Sequence, residues 1–162
     1  MSMEDSMGAD MAFMSRILEA VPQQEPFRFI DELIEVDEEH IVGSYRFRVH
    51  EGFYQGHFPG NPVTPGVILI EAMAQTGVVA FGLYLAMRQA HLSSEESQNM
   101  QTLFTSADLV EFTGIVRPGE RVIIKGRKIY FRRNNLKAEV SMERENGEPV
   151  CRGILAGMGV LM

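Results

Sequence analysis

The spacing of apolar residues predicts a short helix followed by strands in the first third of this chain. Apolar residues recur at helical spacing between Met11 and Val21, and Pro22 ends that run. Residues 27–36 are strand-like but alternate imperfectly, whereas residues 44–49 alternate regularly between polar and apolar side chains. Regular alternation is typical of an antiparallel strand with one buried face. We therefore expect an amphipathic helix that lies on a larger, sheet-containing body.

The last third of the chain predicts an antiparallel meander. Strand-forming residues occupy 121–131, 136–143 and 150–161. Asn134-Asn135 offers a tight turn after the first of these strands, and Asn146-Gly147 after the second is the preferred sequence for a type I′ hairpin. Three consecutive strands joined by short turns are expected to pair in order.

Between these regions lies a long apolar stretch, residues 67–87, whose only strongly polar members are Glu71 and Gln75. Thr64 is a plausible N-cap, and Pro65 fits the first helical position because its missing N–H has no partner there anyway. About 20 apolar residues also suffice to cross a bilayer. The early carboxylate, the interrupting glycines and the flanking strands favour a helix buried on all sides instead. We predict an α+β fold in which an antiparallel sheet wraps around one long buried helix.

Composition and charge limit the partners and the compartment. Lys plus Arg number 15 against 22 Asp plus Glu, and the net charge of -7 argues against nucleic acid or an anionic membrane as the main partner. The single cysteine, Cys151, cannot form an intrachain disulfide, and no Cys/His spacing is typical of a zinc site. The acidic amino terminus lacks the features of a signal peptide, so we expect a cytoplasmic location. With no internal repeat, we predict a flexible lead-in over residues 1–10 and one domain over residues 11–162.

One segment indicates a specific chemistry. Residues 56–67 read Gly-His-Phe-Pro-Gly-Asn-Pro-Val-Thr-Pro-Gly-Val and lead directly into residues 68–75, Ile-Leu-Ile-Glu-Ala-Met-Ala-Gln. This stretch closely resembles the β-hydroxyacyl-acyl-carrier-protein dehydratases of the FabZ type at every fixed position of their motif. A weaker resemblance runs from about Ile17 to the carboxyl terminus. It implies a hotdog fold and the conversion of a 3-hydroxyacyl thioester to the trans-2-enoyl thioester, with no metal, nucleotide or flavin cofactor.

The residues themselves suit that reaction. Dehydration needs a base for the α-proton, and His57 has an imidazole that titrates near working pH. It needs an acid for the departing hydroxyl, and burial in an apolar helix would keep Glu71 protonated. The N–H of Gly66, in the first turn of the helix, would polarise the thioester carbonyl. We therefore predict His57 and Glu71 as the catalytic pair and expect substrate-binding positions in the same segment: Gly66, Phe58, Val67 and Gln75.

The resemblance also implies the partners. In the family, the facing His and Glu come from different subunits of a homodimer, so His57 of one chain would meet Glu71 of the other, and dimers could assemble into a trimer of dimers. The substrate would arrive on an acyl carrier protein. Between Arg117 and Lys137 there are eight basic residues and one acidic residue. This basic stripe would steer an acidic carrier protein, or it consists simply of outward-facing residues of exposed strands.

Three departures from the family pattern leave the pathway open. Gln23-Gln24-Glu25 replaces a basic-aromatic dipeptide, residues 110–115 lack the usual arginines, and residues 91–101 form a polar insert of undefined role. The chain would therefore serve housekeeping fatty-acid synthesis or a specialised acyl chain. The alternatives are a dehydratase/isomerase, which typically has Asp in place of Glu71, a hotdog acyl-thioesterase, and a non-catalytic partner subunit of a heteromeric synthase.

Overall fold

A single six-stranded antiparallel sheet dominates the computed structural model, which describes residues 8–89 and 93–161. Its strands in chain order are β1 (Glu32–Val36), β2 (His40–Arg46), β3 (Met100–Phe112), β4 (Arg121–Arg132), β5 (Asn135–Arg144) and β6 (Pro149–Leu161). Their spatial order is β1-β2-β4-β5-β6-β3, and every neighbouring pair is antiparallel. The long strand β3 therefore lies at one edge, where β6 is its only partner within the described chain.

The helices pack on one face of this sheet. They are α1 (Met11–Ala20), the central helix α2 (Gly66–Gln89) and the short α3 (Ser94–Ser97). The central helix is α-helical at both ends and π-helical over Gln75–Ala80. It is long and apolar enough to span a membrane, but 67% of its apolar window is buried inside the fold, as in the core helix of a globular protein. The predicted sheet wrapped around one long buried helix is confirmed.

The central helix approaches the sheet very closely at one point. A Cβ added to Gly77 would lie 2.5 Å from Cγ2 of Val140, and one added to Gly126 would lie 3.3 Å from the Cα of Gly77. Any larger residue at either position would push the two backbones apart. Gly77, one of the glycines that interrupt the apolar helix, is therefore explained by close packing against β4 and β5.

Two apolar clusters form the core, one around each half of α2. The first half packs with aromatic residues that precede the helix in the chain and with the middle of the sheet, including Phe29, Phe47, Ile124, Val140 and Leu155. The second half packs with α1 and the β1–β2 hairpin, including Ile17, Val21, Leu33, Ile41 and Leu136. The prediction that the amino-terminal helix lies on a larger body is confirmed, and that body is the second half of α2 with β1.

Several local predictions are corrected. Pro65, not Thr64, is the N-cap of α2, because the Thr64 hydroxyl lies 2.6 Å from the Tyr54 hydroxyl and its N–H donates to the Val116 carbonyl. The first strand begins at Glu32 rather than at residue 27, since the preceding residues turn and then bond to the side chain of Gln75.

The two hairpin turns also differ from prediction. The β4–β5 turn is made by Arg133 and Asn134, which both have positive φ, rather than by Asn134-Asn135. In the β5–β6 turn only Gly147 has positive φ, whereas a type I′ turn requires positive φ at both central residues. The meander of three strands is otherwise confirmed.

Some predictions cannot be compared with the structure. Residues 1–7 of the expected lead-in and His91 and Leu92 of the polar insert lie outside the described residues. Within the rest of the lead-in, the N–H of Ala9 donates to the Val36 carbonyl at 2.8 Å. The described remainder of the insert forms α3 and the start of β3.

Candidate active site

The loop before α2 fixes the position and protonation of His57. Its backbone N–H donates to the Phe53 carbonyl at 3.1 Å, and its carbonyl accepts from the Val63 N–H at 2.9 Å. The ring Nδ1 lies 2.9 Å from the Val63 carbonyl oxygen. Because a carbonyl oxygen can only accept, Nδ1 carries the hydrogen in this contact, and a neutral ring then has its lone pair on Nε2. The imidazole of His57 is therefore held as the tautomer that can take up a proton at Nε2.

The same loop is closed by its own backbone. Phe58 and Asn61 exchange N–H to carbonyl hydrogen bonds of 3.2 and 2.9 Å. Gly60 has φ of +74°, a conformation that favours glycine and allows the tight turn. The ring of Phe58 is 53% exposed and stacks on the His57 imidazole with 4.0 Å between centroids. The motif's glycine and backbone bonds thus form a rigid turn that presents one imidazole and one apolar ring at the surface.

Glu71 lies in the second turn of α2 and is oriented by Gln75. The amide Nε2 of Gln75 donates to Oε1 of Glu71 at 2.9 Å and also to the Phe27 carbonyl at 2.9 Å, while its Oε1 accepts from the Phe29 N–H at 2.6 Å. Gln75 is completely buried, and these bonds fix which end of its amide faces Glu71. Since Oε1 of Glu71 accepts a hydrogen bond, a proton on this carboxyl group would reside on Oε2.

The surroundings of Glu71 favour its protonated form. Burial raises the pKa of the Glu71 carboxyl above its ordinary value, and the hydrogen bond from Gln75 only partly offsets that rise. No arginine or lysine is among the groups that act on this carboxyl. A half-buried carboxyl whose pKa is raised in this way is suited to donating a proton.

The first turn of α2 leaves a backbone donor available at Gly66. The carbonyl of Pro65 accepts from the N–H groups of Ile68 and Leu69, whereas the Gly66 N–H has no acceptor within the described part of the chain. A Cβ at Gly66 would lie 3.1 Å from the ring of Phe112, so that ring packs directly against the helix start. The helix dipole adds partial positive charge here. This is a site for a partially negative oxygen.

A small cavity of about 40 Å³ opens beside Glu71. The remaining lining residues come from α2, from β3 and from the segment after α1: Gln23, Ala74, Val78, Val79, Thr102 and Phe104. Val78 and Thr102 also line a second cavity that extends under β3 toward the β4–β5 turn. The carboxyl group therefore borders a small, mostly apolar cavity between α2 and the edge strand.

The predicted residues do not all meet within one chain. Glu71 and Gln75 are hydrogen-bonded, as expected. Over residues 8–89 and 93–161, no hydrogen bond or ion pair joins His57 to Glu71, since each is bonded to a neighbour in its own segment. Val67, at the helix start, is 72% exposed.

Two further side chains of this region were not predicted from the sequence. Gln23 lines the cavity beside Glu71, and its Oε1 is buried without a hydrogen-bond partner in the described part of the chain. Phe112, at the end of β3, covers Gly66. The departures from the family pattern at residues 23–25 and 110–115 were the signal that could have found both.

Other candidate residues have no role at this site. Cys151 is buried with its thiol 3.5 Å from the sulfur of Met73, and burial raises its pKa to about 12, so it is a core residue as predicted. His40 and His50 are exposed, as expected, and His91 lies outside the described residues. Within the described ranges, no group of three or more His, Cys, Asp or Glu side chains is placed to hold a metal ion.

Sequence comparison assigns the family. The model of the FabA-like domain matches residues 21–152, which is most of the chain. The chain belongs to the FabA-like family. It is 38% identical over 143 residues to the 3-hydroxyacyl-[acyl-carrier-protein] dehydratase FabZ of Caldicellulosiruptor saccharolyticus, covering 88% of this chain and 94% of that protein. The FabZ of Syntrophobacter fumaroxidans is 38% identical over 136 residues, with 82% and 85% covered. The predicted family resemblance is confirmed.

Solved structures confirm the hotdog fold. The dehydratase heterocomplex ApeI:P from Xenorhabdus doucetiae matches with a TM-score of 0.72 and 14% identity, covering 89% of this chain and 90% of that one. A thioesterase from Pseudomonas aeruginosa matches with a TM-score of 0.63 and 13% identity, covering 97% and 100%. Because both activities occur on this fold, the fold alone does not select between them.

Proposed function

We propose that this chain is a 3-hydroxyacyl-[acyl-carrier-protein] dehydratase of fatty-acid biosynthesis, which removes water from a 3-hydroxyacyl thioester to give the trans-2-enoyl thioester. Similarity to FabZ dehydratases over most of the chain supports the reaction. The roles of particular residues in this reaction are supported by two side-chain atoms that make no hydrogen bond within the described residues. One atom suits accepting a proton and the other suits donating one. Nε2 of His57 is an available proton acceptor, and Oε2 of Glu71 is the atom from which a protonated carboxyl would donate.

His57 acts as the general base. Its Nε2 takes the proton from the α-carbon of the thioester, and the electrons of that C–H bond form the new C=C bond. The Nδ1–H bond to the Val63 carbonyl fixes the tautomer and stabilises the imidazolium that forms. The charge that develops on the thioester oxygen is stabilised by the Gly66 N–H and the positive end of α2.

Glu71 acts as the general acid. Its Oε2 proton passes to the 3-hydroxyl group while the C3–O bond breaks, and the hydroxyl leaves as water. Burial raises the pKa of Glu71, which favours the protonated form that this step requires. Gln75 positions the carboxyl through Oε1, and Phe58 and Val67 offer exposed apolar surface to the thioester arm.

The acting unit is a homodimer in which His57 of one chain completes the site of Glu71 of the other. Support comes from the helix start, where Val67 is exposed beside the end of the edge strand β3. A two-fold axis would pair the two open surfaces and build two equivalent sites. We also propose that residues 11–162 form a single domain and that the protein is cytoplasmic. An acyl carrier protein delivers the substrate, and the dimers assemble into a trimer of dimers.

The test is hydration of crotonyl-pantetheine, followed as the loss of enoyl absorbance. Wild-type protein is expected to hydrate this substrate, and His57→Ala is expected to lose about a hundredfold or more, the usual scale for removing a general base. His50→Ala, which removes an exposed histidine from the preceding segment, is the matched control and should retain full activity. Full activity in His57→Ala would contradict the proposal, and so would release of free thiol as the main reaction, which identifies a thioesterase.

A further inference from the structure

The cavity beside Glu71 contains a hydrogen-bond acceptor to which no described residue donates. Oε1 of Gln23 is buried and has no donor within the described residues. Buried amide oxygens nearly always have a partner, because leaving one without a donor is unfavourable. Gln23 lines the same cavity as Glu71, next to the reactive carboxyl of the proposed site.

The other lining residues do not bond to Gln23 within the described part of the chain. Ala74, Val78, Val79 and Phe104 contribute apolar surface, and the hydroxyl of Thr102 makes no hydrogen bond to Gln23. The carboxyl of Glu71 is bonded through Oε1 to the amide of Gln75. A molecule that enters the cavity can therefore supply the donor that Gln23 lacks.

A 3-hydroxyl group satisfies both side chains at once. It has one hydrogen to donate and two lone pairs to accept, whereas Gln23 offers an acceptor and a protonated Glu71 offers a donor. We propose that Gln23 Oε1 accepts the hydrogen of the substrate's 3-hydroxyl group and thereby turns an oxygen lone pair toward Glu71. This role rests on the proposed dehydratase function and makes Gln23 the residue that recognises the departing hydroxyl.

The arrangement also predicts selectivity at C3. A saturated acyl thioester has no group to donate to Gln23, and a 3-oxoacyl thioester would bring a carbonyl oxygen against the amide oxygen. A site built to bond a hydroxyl rejects analogues that lack it, because its own polar group is then left without a partner. The cavity should therefore prefer 3-hydroxyacyl thioesters over the ketone and the alkane of the same chain length.

The experiment compares two ligands that differ by this hydroxyl alone. We measure kcat/KM for dehydration of 3-hydroxybutyryl-pantetheine and the inhibition constant of butyryl-pantetheine, in wild type and in Gln23→Met. Gln23→Met should lower kcat/KM by about tenfold, the scale of one hydrogen bond, while the inhibition constant of butyryl-pantetheine changes by less than about twofold. Gln24→Met, which alters the neighbouring exposed amide, is the control and should leave both values unchanged.

A parallel loss for both ligands would overturn the inference, because it would show that Gln23 only shapes the cavity. Unchanged values for both ligands would overturn it as well. If Gln23→Met does not fold, Gln23→Leu removes the same amide in a branched side chain and is judged by the same two measurements. A wild-type protein that dehydrates neither this substrate nor its carrier-bound form would instead refute the proposed function.

Discussion

The two halves of the central helix have opposite surroundings. In the second half, Phe81 and Leu85 are completely buried beneath α1 and the β1–β2 hairpin. In the first half, Val67 is 72% exposed and Glu71 faces an open cavity. The chain thus covers the second half of this apolar helix, whereas in the first half it buries Leu69 and Met73 but leaves Val67 exposed and Glu71 beside a cavity. The acid that we propose lies on this open part.

The difference arises because α1 packs against the second half of α2. Ile17 is buried against the second half, and the ring of Phe13 meets Tyr84 edge-on with 5.6 Å between centroids. Over the helix start, by contrast, the ring of Phe112 at the end of β3 packs against Gly66, and Val67 stays 72% exposed. The exposed surface around the start of α2 is available to bind substrate and a second subunit, whereas the covered second half contributes stability.

The largest expected effect is on stability, which substitutions in the two halves of α2 should lower by different amounts. Phe81→Ala should lower the free energy of unfolding by about 3–5 kcal/mol, because it leaves a cavity at a completely buried site. Val67→Ala on the open half should change it by less than about 0.5 kcal/mol. Urea unfolding of both variants at one protein concentration measures this contrast, and equal losses would show that the halves are covered alike.

The next effect is on activity. Glu71→Gln should lower the hydration rate of crotonyl-pantetheine by about a hundredfold, since an amide has no acidic proton to donate or regain. The new side chain still offers an oxygen to the Gln75 amide, so the melting temperature should not fall. Glu35→Gln, an exposed carboxyl on β1, is the control for the charge change. Retained activity in Glu71→Gln would exclude Glu71 as the acid.

A smaller effect concerns carrier docking. Four members of the basic stripe form ion pairs with glutamates on neighbouring strands or in turns close by: Arg121, Lys125, Arg127 and Lys128. Within the described chain, Arg132 and Arg133 at the β4–β5 turn are exposed and take part in no ion pair, which leaves their charge available to an acidic carrier protein.

Replacing both arginines by glutamate should therefore raise KM for carrier-bound substrate by about tenfold and leave KM for the pantetheine thioester unchanged. Lys125→Glu with Arg127→Glu makes the same charge change at residues that are already paired and serves as the control. Equal changes for both substrates would contradict carrier docking at this turn.

The smallest effect is a pH dependence of stability. Because burial raises the pKa of folded Glu71, this group favours folding below its ordinary pKa, and that contribution is lost as pH rises through the raised pKa. Glu71→Gln removes the titration, so the variant should gain stability relative to wild type between pH 4 and pH 8. Denaturant unfolding of both proteins at several pH values measures the difference, and a relative loss at higher pH would contradict the raised pKa.

The predictions from the sequence were most accurate where the local residue pattern matches the fold. Strand-forming residues separated by turn sequences identified β4, β5 and β6, and the motif singled out His57 and Glu71. Strand β3 was missed because it lies at the edge with almost every side chain exposed, so it has no alternating pattern. Thr64 was taken for the N-cap because its type favours that position, but its hydroxyl bonds to Tyr54 instead. The free oxygen of Gln23 depends on contacts between distant segments, which no local pattern encodes.

Mixing two inactive variants tests the central claim, that the open helix half of one chain is completed by His57 of another. His57→Ala and Glu71→Ala are unfolded together and refolded at equal amounts. Half of the resulting dimers then contain both variants, and each of these has one intact site if the pair is shared between chains. The mixture should recover about a quarter of wild-type crotonyl-pantetheine hydration. A mixture no more active than the two variants refolded separately would show that each site is built within one chain.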